Sequence, residues 1–184
     1  LNDISKSIGA VLAKEADIVI YIVNFLDILI HSIPGRENMK GLLNDERVFL
    51  NLLAFWFPTS PLFELLRRLA QKKRRIIFTT DHGFIRVKRP VLVYGGREIS
   101  SNLRYKYGPA LRSDPKGAII LESPSDFMLP SENVSVRFLI AREDYYFIYP
   151  TKPSEYEQEF KFTLQHGGIS MEEMILPFGI LKAR

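Results

Sequence analysis

The chain has 184 residues, 46% of them hydrophobic and 12% aromatic, which suits one substantial core and excludes a disordered chain. It contains no cysteine, so disulfides and thiolate metal sites are excluded, and a reducing, cytoplasmic location is expected. The longest apolar run, Ile18 to Ile30, is interrupted by Asn24 and Asp27 and is too short to cross a bilayer, so we expect no membrane span.

The net charge of +4 is unevenly distributed along the chain. From Arg67 to Lys116 there are 14 Lys or Arg against three acids, a balance of +11, and the remainder carries −7. A positive field there would attract an anionic substrate. The run Lys72 to Arg75 has a simpler explanation, because cations suit a helix C-terminus. Arg97, Arg104 and Lys106 are better candidates for substrate contacts, since their sequence is loop-like.

The N-terminal part predicts a helix followed by a strand. Leu1 to Ala16 is expected to be the end of a helix, and because the chain begins inside it without methionine, we expect a longer polypeptide. Asp17 to Phe25 is a continuous β-branched and aromatic run, typical of a strand buried on both faces of a parallel sheet. Asp27 would then follow the carboxyl end of that strand.

Two helices and a second strand are expected next. Asn44 to Phe57 predicts a helix that Pro58 stops. Ser60-Pro61 predicts the N-cap and first turn of another helix. Ile76 to Thr79 predicts a strand that delivers Asp81 and His82 to its carboxyl end, where open α/β sheets bind ligands.

The rest of the chain predicts short strands and one short helix. Ser170-x-x-Glu173 has capping-box spacing, and Ile175 to Leu181 predicts a last strand interrupted by Pro177. Further strands are expected at Val91–Tyr94, Ala118–Leu121, Val136–Ala141 and Tyr145–Tyr149, with a Gly95-Gly96 turn after the first.

Together these elements predict an α/β fold with a mixed, mostly parallel central sheet flanked by helices. We expect a single domain over residues 1–184, with residues 84–150 forming a β-rich cap or insertion within it.

The chain has three histidines, and each lies in a setting suited to a metal ligand. His31 is four residues after Asp27, which places both side chains on one face if the segment is helical. His82 follows Asp81 directly and precedes Gly83, and His166 precedes Gly167-Gly168. Two carboxylates and three imidazoles are the ligand chemistry that zinc, manganese and iron accept.

Each residue also has an ordinary structural explanation. A lone His31 in apolar sequence is more often a core or capping residue than a ligand, and Asp81-His82-Gly83 alone could form a turn. The joint pattern favours metal binding, because every histidine has a carboxylate or paired glycines beside it.

The segments Asn24-Phe25-Leu26-Asp27-Ile28-Leu29-Ile30-His31, Thr79-Thr80-Asp81-His82-Gly83 and Gln165-His166-Gly167-Gly168 resemble three metal-binding motifs of the alkaline phosphatase superfamily, in its PglZ-domain branch. Two further segments, Ser101-Asn102-Leu103-Arg104-Tyr105-Lys106-Tyr107-Gly108 and Met171-Glu172-Glu173-Met174-Ile175-Leu176-Pro177-Phe178, resemble more closely the C-terminal domain of PorX-like response regulators.

The resemblance implies two zinc ions, with manganese or iron as alternatives. It assigns Asp27, His31 and His166 to one ion, and Asp81 with His82 to the other. It also implies that a Ser or Thr nucleophile and a further carboxylate lie upstream of Leu1. The catalytic nucleophile is therefore unassigned, and the chain alone is expected to bind metal without turnover.

The implied function is a zinc-dependent phosphodiesterase or phosphatase acting on phosphate esters, with nucleotide or oligonucleotide phosphodiesters expected. We expect Asn102, Arg104 and Lys106 to contact phosphate oxygens. The resemblance further implies an effector domain of a two-component response regulator linked to type IX secretion.

A second hypothesis is a non-catalytic signalling output module, with a structural zinc site and a regulatory protein partner. The sequence does not decide whether the protein forms a homodimer. A third, nucleic-acid binding through the basic stretch without chemistry, leaves the histidine pattern unexplained.

Overall fold

The computed structural model describes residues 8–10, 12–13, 15–31, 45–95, 102–131 and 134–182. The chain divides into two compact units, one of residues 1–80 with 177–184 and the other of residues 81–176. The helix predicted over Leu1 to Ala16 lies largely outside the described residues, as does most of the Gly95-Gly96 turn.

Unit 1, residues 1–80 with 177–184, contains two helices that meet at Ser60 as the sequence predicts. The Ser60 hydroxyl accepts a hydrogen bond from the Phe63 amide at 3.1 Å, and Pro61 occupies the first turn. At the start of the preceding helix, the Asp45 carboxylate accepts from the Arg47 amide at 2.8 Å. The described part of this unit contains α1 (Phe25–His31), α2 (Glu46–Thr59) and α3 (Pro61–Gln71), and residues 8–10 and 12 are also helical.

The prediction that Pro58 stops the preceding helix is wrong by two residues, because α2 continues to Thr59. A proline in the last turn removes only one backbone donor, so the helix tolerates it there. The helix ends where Ser60 adopts an extended backbone with φ −80° and ψ 152°.

The strand predicted over Asp17 to Phe25 is not formed. Residues 15–23 have no helix or strand assignment, and Phe25 begins α1. Ile18, Ile20 and Ile22 are each more than 80% exposed. A β-branched run favours an extended backbone, but a strand also needs a paired neighbour, and this segment has none among the described residues.

The strand predicted over Ile76 to Thr79 is confirmed, although its sheet differs from the expected one. This strand, β1 (Ile76–Thr79), pairs antiparallel with the last strand, β10 (Phe178–Leu181). A mostly parallel central sheet is absent from the described part of the chain, where the four small sheets are mostly antiparallel. The α/β class is therefore confirmed, whereas the described residues do not show the mixed, mostly parallel central sheet.

Unit 2, residues 81–176, is β-rich, and its described strands form one parallel pair. Its elements are β2 (Ile85–Arg86), β3 (Arg89–Tyr94), β4 (Tyr105–Pro109), β5 (Arg112–Ser113), β6 (Ala118–Leu121), a 3-10 turn (Pro124–Phe127), β7 (Val136–Ala141), β8 (Tyr145–Ile148), α4 (Pro153–Phe160), β9 (Leu164–Gln165) and α5 (Met171–Met174). The strand orders are β5-β3-β8, β4-β7-β6 and β2-β9, and β3 runs parallel to β8.

Strand β8 is the centre of this unit because all four of its residues are buried. Tyr145 and Phe147 pack into a cluster with Val91, Val93 and Leu139. Tyr146 and Ile148 point to the other side, into a second cluster with Ile85, Val87 and Leu103. A strand covered on both faces needs apolar side chains at every position, and the YYFI sequence of β8 supplies them.

Most short strands predicted in this unit are confirmed, whereas β4 and α4 were missed.

No single helix among the described residues is long and apolar enough to span a membrane. Segments Arg47–Thr59 and Pro61–Gln71, bent by 49°, meet that length and composition only as a pair.

Candidate metal centre

In unit 1, Asp27 and His31 lie on one face of α1, as their spacing predicts. Asp27 occupies the first turn and His31 the last, and His31 Nε2 lies 3.4 Å from Asp27 Oδ1. The Phe25 ring stacks on Trp56 with centroids 4.5 Å apart, which packs α1 against α2. Both side chains of the pair are partly exposed, whereas Asp27 Oδ1 itself is buried.

In unit 2, the pairing of β2 with β9 places His82 beside His166. The antiparallel register aligns Ile85 with Gln165, so the chain before β2 runs alongside the chain after β9. His166 follows β9 directly, and His82 precedes β2 by three residues. Two histidines that are 84 positions apart in the sequence are therefore neighbours in space.

The imidazoles of His82 and His166 stack in nearly parallel planes. Their centroids are 3.8 Å apart and the planes differ by 7°. The Phe84 ring meets both imidazoles edge-on, at 5.2 Å from His82 and 5.6 Å from His166. The nitrogen atoms that His82 and His166 can offer as ligands lie within 4.8 Å of each other, close enough to serve neighbouring ions.

Asp81 and His82 are arranged around a turn of the backbone. Asp81 Oδ1 accepts a hydrogen bond from the His82 amide at 3.1 Å and lies 3.8 Å from His82 Nε2. His82 Nδ1 is 3.1 Å from the Gly83 carbonyl oxygen. A proton on Nδ1 would donate to that carbonyl and leave the lone pair on Nε2, which is the tautomer a metal ligand needs.

The separations within each pair fit zinc coordination. Two ligand atoms at tetrahedral positions around zinc are about 3.4 Å apart, since each bond is about 2.0–2.1 Å. The Asp27–His31 pair has its atoms 3.4 Å apart, and the Asp81–His82 pair 3.8 Å. The donor set of carboxylate oxygens and imidazole nitrogens also suits zinc.

Glycine at position 83 is required by the close approach of α5. The Gly83 amide donates to the Glu173 carbonyl at 3.0 Å. A Cβ at this position would lie 2.0 Å from the Glu172 carbonyl oxygen, so any side chain would clash with backbone. The residue after His82 is therefore fixed against α5.

Glu173 also holds the segment that follows His166. Its carboxylate accepts from the Gly168 amide at 2.8 Å and from the Ser170 amide at 3.0 Å, and the second contact is the glutamate half of the predicted capping box. Burial alone would raise the pKa of Glu173, but Arg104 and these amides outweigh it and hold the pKa below its usual value.

Arg104 is fully buried and is bound to Glu173. Its Nε and Nη2 donate to the two carboxylate oxygens at 2.9 and 2.8 Å, and Nη1 donates to the Tyr145 carbonyl. The guanidinium is thus engaged within the protein, so these contacts do not support the predicted contact with phosphate.

The sequence suggests that Lys106 lies in a loop, but the residue belongs to strand β4 and is 0% exposed. Its Nζ lies 4.8 Å from the centre of the Tyr149 ring. Burial lowers the pKa of Lys106 to about 8. Its phosphate contact stays a prediction, and these surroundings favour a packing role.

Asn102 is close to the histidine segment. Its side-chain oxygen accepts from the Arg104 amide at 2.7 Å and the Tyr105 amide at 3.2 Å. A Cβ on Gly167 would lie 3.0 Å from Asn102 Nδ2, and the Gly167 φ of +105° favours glycine. Asn102 therefore lies beside Gly167, the residue that follows His166.

Thr79 is engaged in the backbone of β1 and β10. Its hydroxyl donates to the Pro177 carbonyl at 2.9 Å. This contact ties the Thr79 side chain to the segment just before β10.

The sequence did not predict the roles of Phe84 and of the Arg104–Glu173 pair. The capping-box spacing identified Glu173 as a helix cap, but nothing in the local pattern links it to Arg104, which is 69 positions away.

Comparison with known protein families gives one match that covers nearly the whole chain. Residues 2–180 match the family model of the BREX system PglZ alkaline phosphatase-like domain. No curated protein matches the chain.

Proposed function

Because the chain belongs to the PglZ alkaline phosphatase-like family, we propose that it carries the metal-binding part of a phosphoesterase. The coarse activity follows from the family, whose superfamily hydrolyses phosphate esters. The finer assignments below are supported by the geometry of the described residues and by the motifs in the sequence.

We propose two zinc ions, with manganese or iron as alternatives. Asp27, His31 and His166 are assigned to one ion, and Asp81 with His82 to the second. The observation that carries the proposal is the stacking of His82 on His166 at 3.8 Å, because ligands of two neighbouring ions must themselves be neighbours. The spacing within the two Asp–His pairs gives further support.

When bound, such a pair of ions would neutralise phosphate charge and lower the pKa of an attacking group. The chain's residues prepare for this by holding their ligand atoms at set positions. Asp81 has a side chain that is 87% exposed, so it is accessible to an arriving ion. Asn102 is proposed to donate its amide to a phosphate oxygen, since it lies beside the His166 segment.

We propose phosphodiesters of nucleotides or oligonucleotides as substrates. The support is the balance of +11 between Arg67 and Lys116, which would raise the local concentration of an anion. The Ser or Thr nucleophile is proposed to lie upstream of Leu1, as the family resemblance implies, and within the chain the Thr79 hydroxyl donates to the Pro177 carbonyl. The role as a response-regulator effector linked to type IX secretion rests on sequence resemblance alone.

A non-catalytic output module with a structural metal site is the second candidate. The observation that favours it is the same hydroxyl contact of Thr79. The two functions differ in turnover and agree in metal binding.

The test of the enzymatic proposal is hydrolysis of bis(p-nitrophenyl) phosphate by the full-length protein with added zinc or manganese. His82→Ala and His166→Ala should each abolish the activity, whereas Lys152→Ala, in a remote exposed ion pair, should retain it. Activity in either histidine variant equal to wild type would refute the proposal. Metal binding without any turnover in wild type would favour the output module.

A further inference from the structure

We infer that Glu173, clamped by Arg104, positions both His82 and His166 and so sets the metal affinity of the centre. The inference rests on the proposed metal-binding function of these histidines. It concerns a positioning pair, because the side chains of Arg104 and Glu173 are 0% and 1% exposed and neither can reach a solvent-borne ligand.

The Glu173 carboxylate is fully used by hydrogen bonds. One oxygen accepts from Arg104 Nε and the Gly168 amide, and the other accepts from Arg104 Nη2 and the Ser170 amide. All four distances lie between 2.8 and 3.0 Å. A bidentate guanidinium contact also fixes the plane of the carboxylate.

The same residue is connected to both histidine segments. Its side chain binds the Gly168 amide, two residues after His166. Its backbone carbonyl accepts from the Gly83 amide at 3.0 Å, one residue after His82. One residue of α5 therefore holds the backbone beside each imidazole, and any displacement of Glu173 would move the two rings relative to each other.

Arg104 connects this arrangement to the core of unit 2. Its Nη1 donates to the carbonyl of Tyr145 in β8, and the Arg104 carbonyl accepts from the Ala141 amide at 2.8 Å. Gly168 leaves the room that the pair needs, because a Cβ there would lie 2.5 Å from Arg104 Nη2. The rigid strands thus set the position of the guanidinium, and the guanidinium sets that of Glu173.

Glu173→Gln is the variant that tests the inference. A glutamine keeps the shape but offers a single oxygen and adds two donors, so at least one of the amide contacts is lost. Zinc affinity, measured by competition with a chromophoric chelator, should weaken by about 10- to 100-fold, the range typical for groups that orient metal ligands. Arg104→Lys, which keeps the charge and loses the fork, should give a smaller loss.

Two controls separate positioning from a general loss of stability. Glu172→Gln changes the exposed neighbour on the same helix and should leave the affinity unchanged. Leu139→Ala destabilises the core cluster of unit 2 without touching either histidine segment, and should lower the unfolding temperature but not the affinity of the folded protein.

A second readout uses the metal-free protein, so it does not depend on the proposed function. Wild type should show a nuclear Overhauser effect between the His82 and His166 rings and slow exchange of the Gly83 and Gly168 amides. In Glu173→Gln both should diminish, and in the two controls both should persist.

The outcomes are distinguishable. Failure of wild type to bind zinc would refute the proposed function, and the metal-free measurement would still decide the positioning role. Unchanged ring contact, amide protection and affinity in a folded Glu173→Gln protein would overturn the inference.

Discussion

At the scale of single residues, the strictest constraint is the lack of room for a side chain at Gly83, the residue that follows His82. The backbone of Gly83 touches α5 so closely that no other residue fits without movement. Glu173 holds the backbone on both sides of the site. Its carbonyl accepts from the Gly83 amide, one residue after His82, and its carboxylate accepts from the Gly168 amide, two residues after His166. The positions of both imidazoles therefore depend on the packing of α5.

Gly83→Ala should therefore weaken zinc binding and cost about 1–3 kcal/mol of unfolding free energy, as overpacking against fixed atoms does. The measurement is zinc competition together with urea unfolding. Gly179→Ala is the matched control, because a Cβ there would meet the Phe78 carbonyl oxygen at an ordinary 3.8 Å. Equal behaviour of the two variants would contradict the importance of this contact.

Lys106 gives a pH dependence with a defined sign. Its pKa is about 8 in the folded protein against an ordinary 10.5, because burial disfavours the charged form. The unfolded chain thus binds more protons between these values, and the free energy of unfolding should rise with pH from about 8 to about 10.5. The contribution is on the order of 3 kcal/mol.

Lys106→Met removes the titrating group and should flatten that rise. Urea unfolding at several pH values between 7.5 and 10.5 measures it, with wild type as reference. A rise of the same size in Lys106→Met would show that other groups cause it.

At the scale of elements, β8 combines complete burial with one polar atom that lacks a partner. The Tyr146 hydroxyl is buried and has no hydrogen-bond partner among the described residues. Burial, followed by the charge of Glu157, raises the pKa of Tyr146 to about 12. The hydroxyl thus costs folding free energy that a phenyl ring would not.

Tyr146→Phe should accordingly raise the free energy of unfolding by about 1 kcal/mol. Tyr107→Phe, on the half-exposed position of β4, is the control and should leave it unchanged. Thermal and urea denaturation would measure both. A destabilised Tyr146→Phe protein would indicate a partner for this hydroxyl.

The elements that the sequence predicted well are those set by local chemistry. The caps at Ser60 and Ser170 and the strand Val136 to Ala141 depend on residues within a few positions of one another. The i,i+4 contact of Asp27 with His31 is local in the same sense.

The elements that were missed depend on distant partners. Asp17 to Phe25 has strand propensity but no described neighbour to pair with, and Lys106 is buried because β7 and Tyr149 cover it. The antiparallel pairing of β1 with β10 was not predicted, because local sequence does not state whether a strand's partner is parallel or antiparallel. The candidate metal ligands could be proposed from their chemistry and spacing and stay a prediction, whereas the Arg104–Glu173 pair needed the three-dimensional structure.

At the scale of the whole molecule, metal binding should be linked to folding. An ion that binds only the folded protein raises the free energy of unfolding, and the increase grows with the logarithm of the ratio of the ion concentration to Kd. Zinc at about 100 times its Kd should thus add about 2.7 kcal/mol, and EDTA should remove it. Differential scanning calorimetry with and without zinc would measure this, and an unfolding temperature indifferent to zinc would argue against a specific site.

The most direct test of the central claim is the zinc stoichiometry of the purified chain, measured by equilibrium dialysis and elemental analysis. We expect about two zinc ions per chain, and about one in Asp81→Ala, because that variant removes a ligand of only one proposed ion. Retention of both ions in Asp81→Ala, or no zinc in wild type, would contradict the account.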